Sequence, residues 1–247
     1  MSTNRASRHI THTKKILLNS HDNDSLTIII PAAGIGKRMK SRGPKALLTL
    51  NRGITILERQ LKILWSEYPN AEIIVVVGFQ GNKIRKQFRS TYPVRFITNT
   101  LYEETNVAYS LQLAIQAAIS PRLLIVYGDL VFNPSTIRTI TSGPSAMLID
   151  TKNQFKTEEV GVQTQDGSVT NLSYGLTTKW GQMVYLIGHE LYLFEMSVFN
   201  TATEKWFGYE ILNNVINHGG IFTAIEPTHM RIAEVDTTKD LERAKMI

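Results

Sequence analysis

The chain has 247 residues, of which 43% are hydrophobic and 19% charged, a balance that excludes a largely disordered protein and suits one large α/β domain or two small ones. Cysteine is absent, which excludes disulfides, thiolate zinc sites and cysteine nucleophiles. The net charge of +6 suits an anionic ligand, but it does not distinguish a nucleic acid or a membrane surface from a small phosphate.

The first 25 residues differ in composition from the rest of the chain. They contain four Lys or Arg residues against two Asp residues, and almost no apolar run. Chain ends that are not tied to a sheet are usually mobile, so we expect residues 1–25 to be a mobile basic tail. One domain is expected at 26–247, because no linker rich in Pro, Gly or Ser divides it.

From residue 26 onward, short apolar runs alternate with amphipathic stretches. Aliphatic and β-branched runs bounded by turns predict buried strands at 25–31, 71–77, 94–97 and 123–127. Apolar residues at helical spacing predict helices at 55–66, 82–88 and 106–119. This alternation indicates a mostly parallel sheet that is covered by helices on both faces.

After Pro144 the pattern contains more strands. Strands are predicted at 146–150, 160–163, 169–173, 183–188 and 231–235, and helices at 190–199, 209–217 and 239–245. The pair Asp166-Gly167 is a strong hairpin turn signal. The predicted fold is therefore a three-layer α/β/α, Rossmann-like domain with a mostly parallel mixed central sheet.

The most informative motif is the loop that follows the first predicted strand, at the sheet edge where ligands of parallel sheets bind. Its small residues Ala32, Ala33, Gly34 and Gly36 allow backbone amides to approach and cradle an anion. Five cations within nine residues supply the charge that a triphosphate needs, namely Lys37, Arg38, Lys40, Arg42 and Lys45. The loop matches neither a Walker loop nor a G-x-G-x-x-G turn, and a solvated basic loop is the alternative.

This run resembles the fingerprint of the nucleotidyltransferase superfamily that activates sugar phosphates and small alcohol phosphates, A-A-G-x-G-x-R-[ML] followed by Pro-Lys. Similar segments follow in the family's order at 54–64, 75–80, 99–113, 127–132 and 233–244. Residues 99–113 (NTLYEETNVAYSLQL) resemble the N-x-x-Y-x-x-T-N-x-x-x-S-L segment of the phosphocholine cytidylyltransferase-like branch. The resemblance implies the nucleotide-diphospho-sugar transferase-like variant of the predicted fold.

The resemblance also implies a reaction. A phosphate oxygen of an acceptor would attack the α-phosphorus of an NTP, CTP being favoured, and pyrophosphate would leave. The implied catalytic residues are Arg38, which suits bidentate phosphate contact, and Lys45, a point charge beside a phosphate. The implied nucleotide-binding residues are Ala32, Ala33, Gly34, Gly36, Lys37, Gln80, Thr105, Asn106 and Ser110. Asn106 could instead only cap the helix that begins there.

Three carboxylates are predicted to form a magnesium site. Asp129 ends a buried strand, and Glu234 and Asp236 alternate along the last strand, so both face the same side. Mg²⁺ prefers carboxylate, water and phosphate oxygens, and the favoured ligands are Asp129 and Asp236, with Glu234 a weaker third. Each aspartate could instead cap the helix that follows it, with a neighbouring threonine competing at the second.

The acceptor is expected to be a small phosphorylated or phosphonylated alcohol or amine that resembles phosphocholine. The superfamily keeps its acceptor pocket in the second half of the chain, and aromatic faces there could hold a quaternary ammonium group. The candidate residues are Tyr174, Trp180 and Tyr185. Glu103 and Glu104 could meet an acceptor ammonium, or could belong to an exposed acidic loop.

Two other functions remain open from the sequence. One is a sugar-1-phosphate nucleotidylyltransferase that uses UTP, dTTP or GTP. The other is a nucleic-acid-binding module, which the clustering of cations on one glycine-containing loop disfavours. No membrane association is expected, because the longest apolar runs, 73–77 and 123–126, fall far short of the roughly 20 residues of a spanning helix. With no secretory signal pattern either, a cytoplasmic location is expected.

Overall fold

The computed structural model describes residues 25–36, 43–152 and 159–247. The predicted mobile tail, apart from Ser25, lies outside the described residues, as do Lys37 and Arg38 of the basic loop. Within the described ranges, no helix combines the length and the apolar character that crossing a membrane requires.

Four parallel strands form the first half of the central sheet, in the spatial order β3-β2-β1-β4. They are β1 (Thr27–Ala32), β2 (Glu72–Val77), β3 (Val94–Thr98) and β4 (Leu123–Val126). The central strand β1 is buried on both sides, because Ile29 packs into one core cluster while Ile28 and Ile30 pack into the other. This burial explains why its sequence is a continuous apolar run rather than an alternating one.

Helices cover both faces of this sheet. One face carries α1 (Ile56–Glu67) and α2 (Gly81–Phe88), and the other carries α3 (Val107–Ala117), α4 (Gly188–Val198) and α5 (Gly208–Asn217). The start of α1 is fixed by Thr55, whose Oγ1 accepts a 3.3 Å hydrogen bond from the backbone amide of Glu58. The two packed faces confirm the predicted three-layer α/β/α architecture.

The second half of the sheet is mixed and joins the first through one long strand. Its strands are β6 (Ala146–Asp150), β7 (Val160–Gln165), β8 (Ser168–Tyr174), β9 (Thr178–Leu186) and β10 (Phe222–Ile225), in the order β9-β6-β10-β8-β7. Strand β9 runs antiparallel to both β4 and β6 and also pairs with β7. The predicted hairpin between β7 and β8 is confirmed, with positive φ angles of 50° at Asp166 and 78° at Gly167.

A separate two-stranded sheet lies beside the carboxyl end of β4. It pairs β5 (Leu130–Phe132) with β11 (Ile232–Glu234), and α6 (Thr238–Ala244) follows. Neither β5 nor β10 was predicted from the sequence. Leu130 pairs with Glu234 in this sheet. The pairing places Asp129, which precedes Leu130, next to the end of β11.

Candidate active site

A cleft of about 440 Å³ opens at the carboxyl edge of the parallel strands. Its described lining comes from the ends of β1, β3 and β4, from the start of α3 and from the loop before α5. The lining includes Ala32, Ala33, Gly34, Gly36, Lys45, Asn99, Glu103, Thr105, Asn106, Ser110, Tyr127, Asp129 and Phe207. Most of the site residues predicted from the sequence therefore lie together around one cleft.

The backbone of the basic loop forms one wall of this cleft. Gly36 has a φ of +65°, and a Cβ added there would lie 3.2 Å from the Cγ of Lys45. Gly128 lets the end of β4 approach β1, because a Cβ there would come within 2.8 Å of the Pro31 carbonyl oxygen. The small residues thus serve close backbone packing around the cleft. Lys37 and Arg38, the predicted phosphate contacts of this loop, lie outside the described residues.

Asp129, which lines the cleft, converges with Glu234 and Asp236, and one carboxylate oxygen of each lies within 4.8 Å of the others. The β5–β11 pairing positions them, and the backbone amide of Val235 donates a 3.0 Å hydrogen bond to the carbonyl oxygen of Asp129. Neither Asp129 nor Asp236 takes the alternative role of a helix N-cap. Thr237 is the N-cap of α6, and Asn133 is the N-cap of the 3₁₀ turn that follows Asp129.

Lys45 occupies the space between two of these carboxylates. Its Nζ donates a 2.9 Å hydrogen bond to Oδ2 of Asp129 and a second hydrogen bond to Oδ1 of Asp236. Burial disfavours the charged ammonium, but the Asp129 and Asp236 carboxylates outweigh burial and raise the pKa of Lys45 above its ordinary value. Lys45 is therefore a permanent cation at the end of the cleft.

The donor set of this cluster fits a divalent cation that prefers oxygen ligands. Three carboxylates supply hard oxygen donors, which Mg²⁺ prefers. Within the described residues, the Oδ1 atom of Asp129 is buried and accepts no hydrogen bond. A buried carboxylate oxygen without a donor is costly unless a cation approaches it. Asp129, Glu234 and Asp236 are therefore the residues that could hold the metal.

Glu234 is expected to make the stability of the metal-free protein depend on pH. Burial, and then the charges of Asp129 and Asp236, raise the pKa of Glu234 to about 8 from an ordinary value of 4.5. Between these two values the unfolded chain has released the Glu234 proton while the folded chain retains it, so rising pH lowers the free energy of unfolding. The amide of Glu234→Gln does not titrate, so this contribution should be absent from the variant.

The measurement compares the free energy of unfolding of wild type and Glu234→Gln from pH 5 to pH 9 in the presence of a chelator. The stability of the variant relative to wild type should rise across this range by an amount on the order of 2–4 kcal/mol. Parallel pH profiles for the two proteins would contradict the assignment.

The polar residues of the cleft wall are organised by Asn99, to which the sequence reasoning assigned no role. Asn99 is buried, and its Nδ2 donates hydrogen bonds to Thr105 Oγ1 (3.2 Å) and Ser110 Oγ (3.1 Å). Its Oδ1 accepts a 2.8 Å hydrogen bond from the amide of Leu101. Its position in the chain could have indicated this role, since Asn99 directly follows β3 at the edge of the sheet where ligands bind. The two predicted nucleotide readers are thus held in place by a shared buried amide.

Asn106 and Gln80 have different surroundings. Asn106 lines the cleft and holds the N-cap position of α3, but its side chain makes no capping bond and donates instead to the carbonyl oxygen of Lys205. Gln80 is not part of the described cleft lining. It precedes α2 with a φ of 51°, and its side-chain oxygen would lie 3.8 Å from a Cβ added at Gly43. The structure therefore places Gln80 beside the basic loop rather than in the cleft.

Of the three aromatic residues predicted for the acceptor, Tyr174 is connected to the cleft by a row of three rings, of which the two outer ones are exposed. Tyr174 is 51% exposed, and its ring centroid lies 5.5 Å from that of Tyr209 in an edge-on contact. Tyr209 stacks on Phe207 with a centroid distance of 6.1 Å and an interplanar angle of 10°. Phe207 lines the cleft, so this aromatic row (174, 207 and 209) begins at its rim.

The other two predicted acceptor residues are buried. Trp180 packs edge-on against Tyr127 with a centroid distance of 5.6 Å, so it lies behind the cleft wall. Tyr185 pairs with Leu124 at the opposite end of β4, where its hydroxyl accepts a 2.7 Å hydrogen bond from Nε of Arg122. The structure therefore places Tyr185 in the core rather than at the acceptor side of the cleft. Both rings fill space between strands, which sequence position alone does not reveal.

Known proteins resemble this chain in sequence. A family model described as a MobA-like NTP transferase domain matches residues 28–171, more than half of the chain. The "Bifunctional protein GlmU" of Solibacter usitatus is 34% identical over 126 residues, which cover 49% of this chain and 27% of that relative. The first three curated relatives are matched over only 16% to 34% of their own length.

Solved structures resemble the chain over nearly its whole length. The CTP:phosphocholine cytidylyltransferase LicC of Streptococcus pneumoniae superposes with a TM-score of 0.71 at 20% identity, covering 90% of this chain and 98% of that one. A proposed glucose-1-phosphate thymidylyltransferase of Bacillus anthracis gives a TM-score of 0.72 at 16% identity, with coverage of 90% and 94%. At these identities the likeness establishes the fold alone, and it agrees with the predicted nucleotide-diphospho-sugar transferase-like fold.

Proposed function

The chain belongs to the family of MobA-like NTP transferase domains, and from this we propose that it is a magnesium-dependent nucleotidylyltransferase that transfers CMP from CTP to a small phosphorylated or phosphonylated alcohol or amine. The observation that carries the proposal is the cleft, which is lined by a glycine-containing loop, a half-buried lysine and Asp129, with Glu234 and Asp236 converging on that aspartate. An NTP needs such a combination, with amides and cations for its phosphates and carboxylates for its metal. The expected cytoplasmic location stays a prediction.

In the proposed reaction, a phosphate or phosphonate oxygen of the acceptor attacks the α-phosphorus of CTP. A new phosphorus–oxygen bond forms there, the bond from the α-phosphorus to the bridging oxygen of the β-phosphate breaks, and pyrophosphate leaves with that oxygen. The attacking oxygen is already ionised at neutral pH, so no side-chain nucleophile is needed. The protein must instead bring two anions together and stabilise the added charge.

Different residues of the chain would have different roles in this reaction. Backbone amides of the loop wall would hold the nucleotide, and Arg38 would contact its β- and γ-phosphates. Lys45 places its ammonium between Asp129 and Asp236, at the end of the cleft where the α-phosphate and the acceptor phosphate would meet. Asp129, Asp236 and Glu234 would hold Mg²⁺, which when bound supplies positive charge to the reacting phosphate.

The hydrogen bonds from Asn99 to Thr105 and Ser110 support the recognition of one small nucleotide base. These groups line the cleft at the start of α3, within the segment 99–113 that resembles phosphocholine cytidylyltransferases. Hydroxyl groups that a buried amide holds in place present the same polar contacts to every nucleotide, so the site favours the base whose edge matches them. LicC, whose fold this chain shares, acts on CTP and phosphocholine. These observations favour CTP.

The acceptor is proposed to lie between the aromatic row and Glu103. Phe207 and Glu103 both line the cleft, so an apolar ring and a carboxylate are available to a ligand there. A positively charged amine or ammonium group is attracted to both kinds of surface. Tyr174 would extend this surface outward through Tyr209. The proposed acceptor therefore carries a cationic head and a phosphate or phosphonate group.

The nucleotide and acceptor preferences are tested together by pyrophosphate release. CTP, UTP, dTTP and GTP are each combined with phosphocholine, phosphoethanolamine, 2-aminoethylphosphonate and glucose 1-phosphate, with acceptor-free reactions as controls. We expect kcat/KM to be at least about tenfold higher with CTP than with any other NTP, equivalent to about 1.4 kcal/mol, and turnover to require a cationic acceptor.

A preference for UTP, dTTP or GTP together with glucose 1-phosphate would contradict the CTP assignment. That result would move the protein to the sugar-1-phosphate nucleotidylyltransferases, to which a structural relative from Bacillus anthracis is proposed to belong. No pyrophosphate release with any pair would contradict the proposed reaction itself, provided that the protein is shown to be folded.

A further inference from the structure

Gln182 interrupts strand β9 next to the proposed metal site. Met147 of β6 pairs with Val184, but Ile149 pairs with Trp180, so residues 181–183 of β9 face the single residue between them. The φ of Gln182 is 53°, a left-handed conformation that residues with a Cβ rarely adopt. The other described non-glycine residues with positive φ lie outside the strands, in turns or before a helix. Gln182 is therefore the feature of β9 that needs an explanation.

Strained backbone persists only where other contacts hold it, and bulges beside active sites redirect a side chain. Both statements apply to Gln182. Its carbonyl oxygen accepts a 3.4 Å hydrogen bond from the amide of Tyr127, a residue of the cleft wall. Its side-chain Nε2 donates a 2.6 Å hydrogen bond to Oε2 of Glu234. The bulge thus directs an amide donor out of the sheet and onto the third carboxylate of the cluster.

Glu234 needs such a donor because it must ionise to bind a cation, and its charge then lies beside two aspartates. It lies within 4.8 Å of Asp129 and Asp236, and Lys45 makes its hydrogen bonds to those two aspartates. The nearby Lys179 is 4.0 Å from Glu234 and pairs more closely with Glu159, at 2.6 Å. The side-chain hydrogen bond from Gln182 is therefore well placed to keep Glu234 beside the two aspartates against their repulsion.

We propose that Gln182 is a positioning residue of the nucleotidyl-transfer site, which holds Glu234 in the geometry that binds the divalent cation. The inference rests on the proposed function, because it assigns Gln182 a task in the metal site of that reaction. Groups that orient metal ligands typically change metal affinity by 10- to 100-fold when removed. The left-handed backbone at Gln182 is then tolerated because it serves this contact.

The test uses substitutions that suit the backbone and remove the contact. Gln182→Gly accepts a positive φ without strain, and Gln182→Asn tolerates it while its amide is one methylene too short to reach Glu234. We expect both variants to keep the wild-type melting temperature within a few degrees. Their affinity for Mn²⁺, measured by electron paramagnetic resonance in the presence of CTP, should fall by about tenfold or more. Their kcat should fall at subsaturating metal, with KM for CTP unchanged.

Asp166→Gly is the matched control, because Asp166 also has a left-handed φ, of 50°, but lies in the β7–β8 hairpin. It should leave Mn²⁺ affinity and kcat unchanged. Wild-type Mn²⁺ affinity in Gln182→Gly or Gln182→Asn, or an equal loss in Asp166→Gly, would overturn the positioning role. If the wild-type protein binds Mn²⁺ but catalyses no nucleotidyl transfer, that result would instead contradict the proposed function. The two failures are therefore distinguishable.

Discussion

Asp129→Asn and Asp236→Asn are each expected to lower kcat for nucleotidyl transfer by roughly 10²–10³-fold, equivalent to about 3–4 kcal/mol. Each change removes a charged oxygen from the three-carboxylate cluster without opening a cavity, because asparagine has nearly the same volume as aspartate. The fold should be retained, since each change removes one negative charge from a crowded acidic cluster while Lys45 keeps a hydrogen bond to the other aspartate.

The measurement is steady-state pyrophosphate release as a function of Mg²⁺ concentration, together with the melting temperature of each variant. Asp166→Asn is the control, because Asp166 is an exposed carboxylate of the β7–β8 hairpin, and its activity should equal that of wild type. An Asp129 or Asp236 variant that keeps most of its magnesium-dependent activity would show that the residue is not a metal ligand.

Lys45→Met is expected to lower kcat/KM by roughly 10²–10⁴-fold and to make the stability of the protein depend on metal. The ammonium of Lys45 now neutralises Asp129 and Asp236, so methionine leaves two neighbouring carboxylates without their cation. Removing one partner of this half-buried ion pair should lower the free energy of unfolding by about 1–3 kcal/mol. A divalent cation added to the variant can replace the lost charge.

Melting temperatures with chelator and with millimolar Mg²⁺ test this expectation. Mg²⁺ should raise the melting temperature of Lys45→Met by several degrees more than that of wild type, in which the cation competes with the ammonium. Lys62→Met is the control, because Lys62 pairs with Glu58 on the surface of α1 and should show the wild-type response. If Mg²⁺ stabilises Lys45→Met and wild type equally, the ammonium and the metal do not share a site.

The parallel half of the fold could be predicted from the sequence because its signals are local. The strands β1 and β2 are continuous β-branched runs, and α1 and α3 show apolar residues at helical spacing. The second half was predicted less completely. Strands β5 and β10 were missed, and β9 begins five residues before the predicted 183 because Gly181 and Gln182 interrupt its apolar alternation.

In the site, too, features that depend on neighbouring residues could be predicted, and contacts between residues far apart in the chain could not. The loop residues and the carboxylates could be proposed from the sequence, and the structure brings Asp129, Glu234 and Asp236 together. The hydrogen bonds that organise them could not be predicted. Lys45 meets Asp236 across 191 positions of the chain, and Gln182 meets Glu234 across 52. Such pairs depend on how β9 and β11 pack beside β4, and no local sequence pattern encodes that packing.

The position of β9 extends the central sheet beyond the residues that the family model matches. The family match ends at residue 171, before β9 begins, although β9 forms the hydrogen-bonded neighbour of both β4 and β6. A fragment limited to the matched residues would leave the fully buried β4 with a bare strand edge, the kind of surface that recruits other chains into aggregates. It would also lack two of the three carboxylates. The segment that identifies the family is therefore shorter than the segment that contains the whole sheet and all three carboxylates.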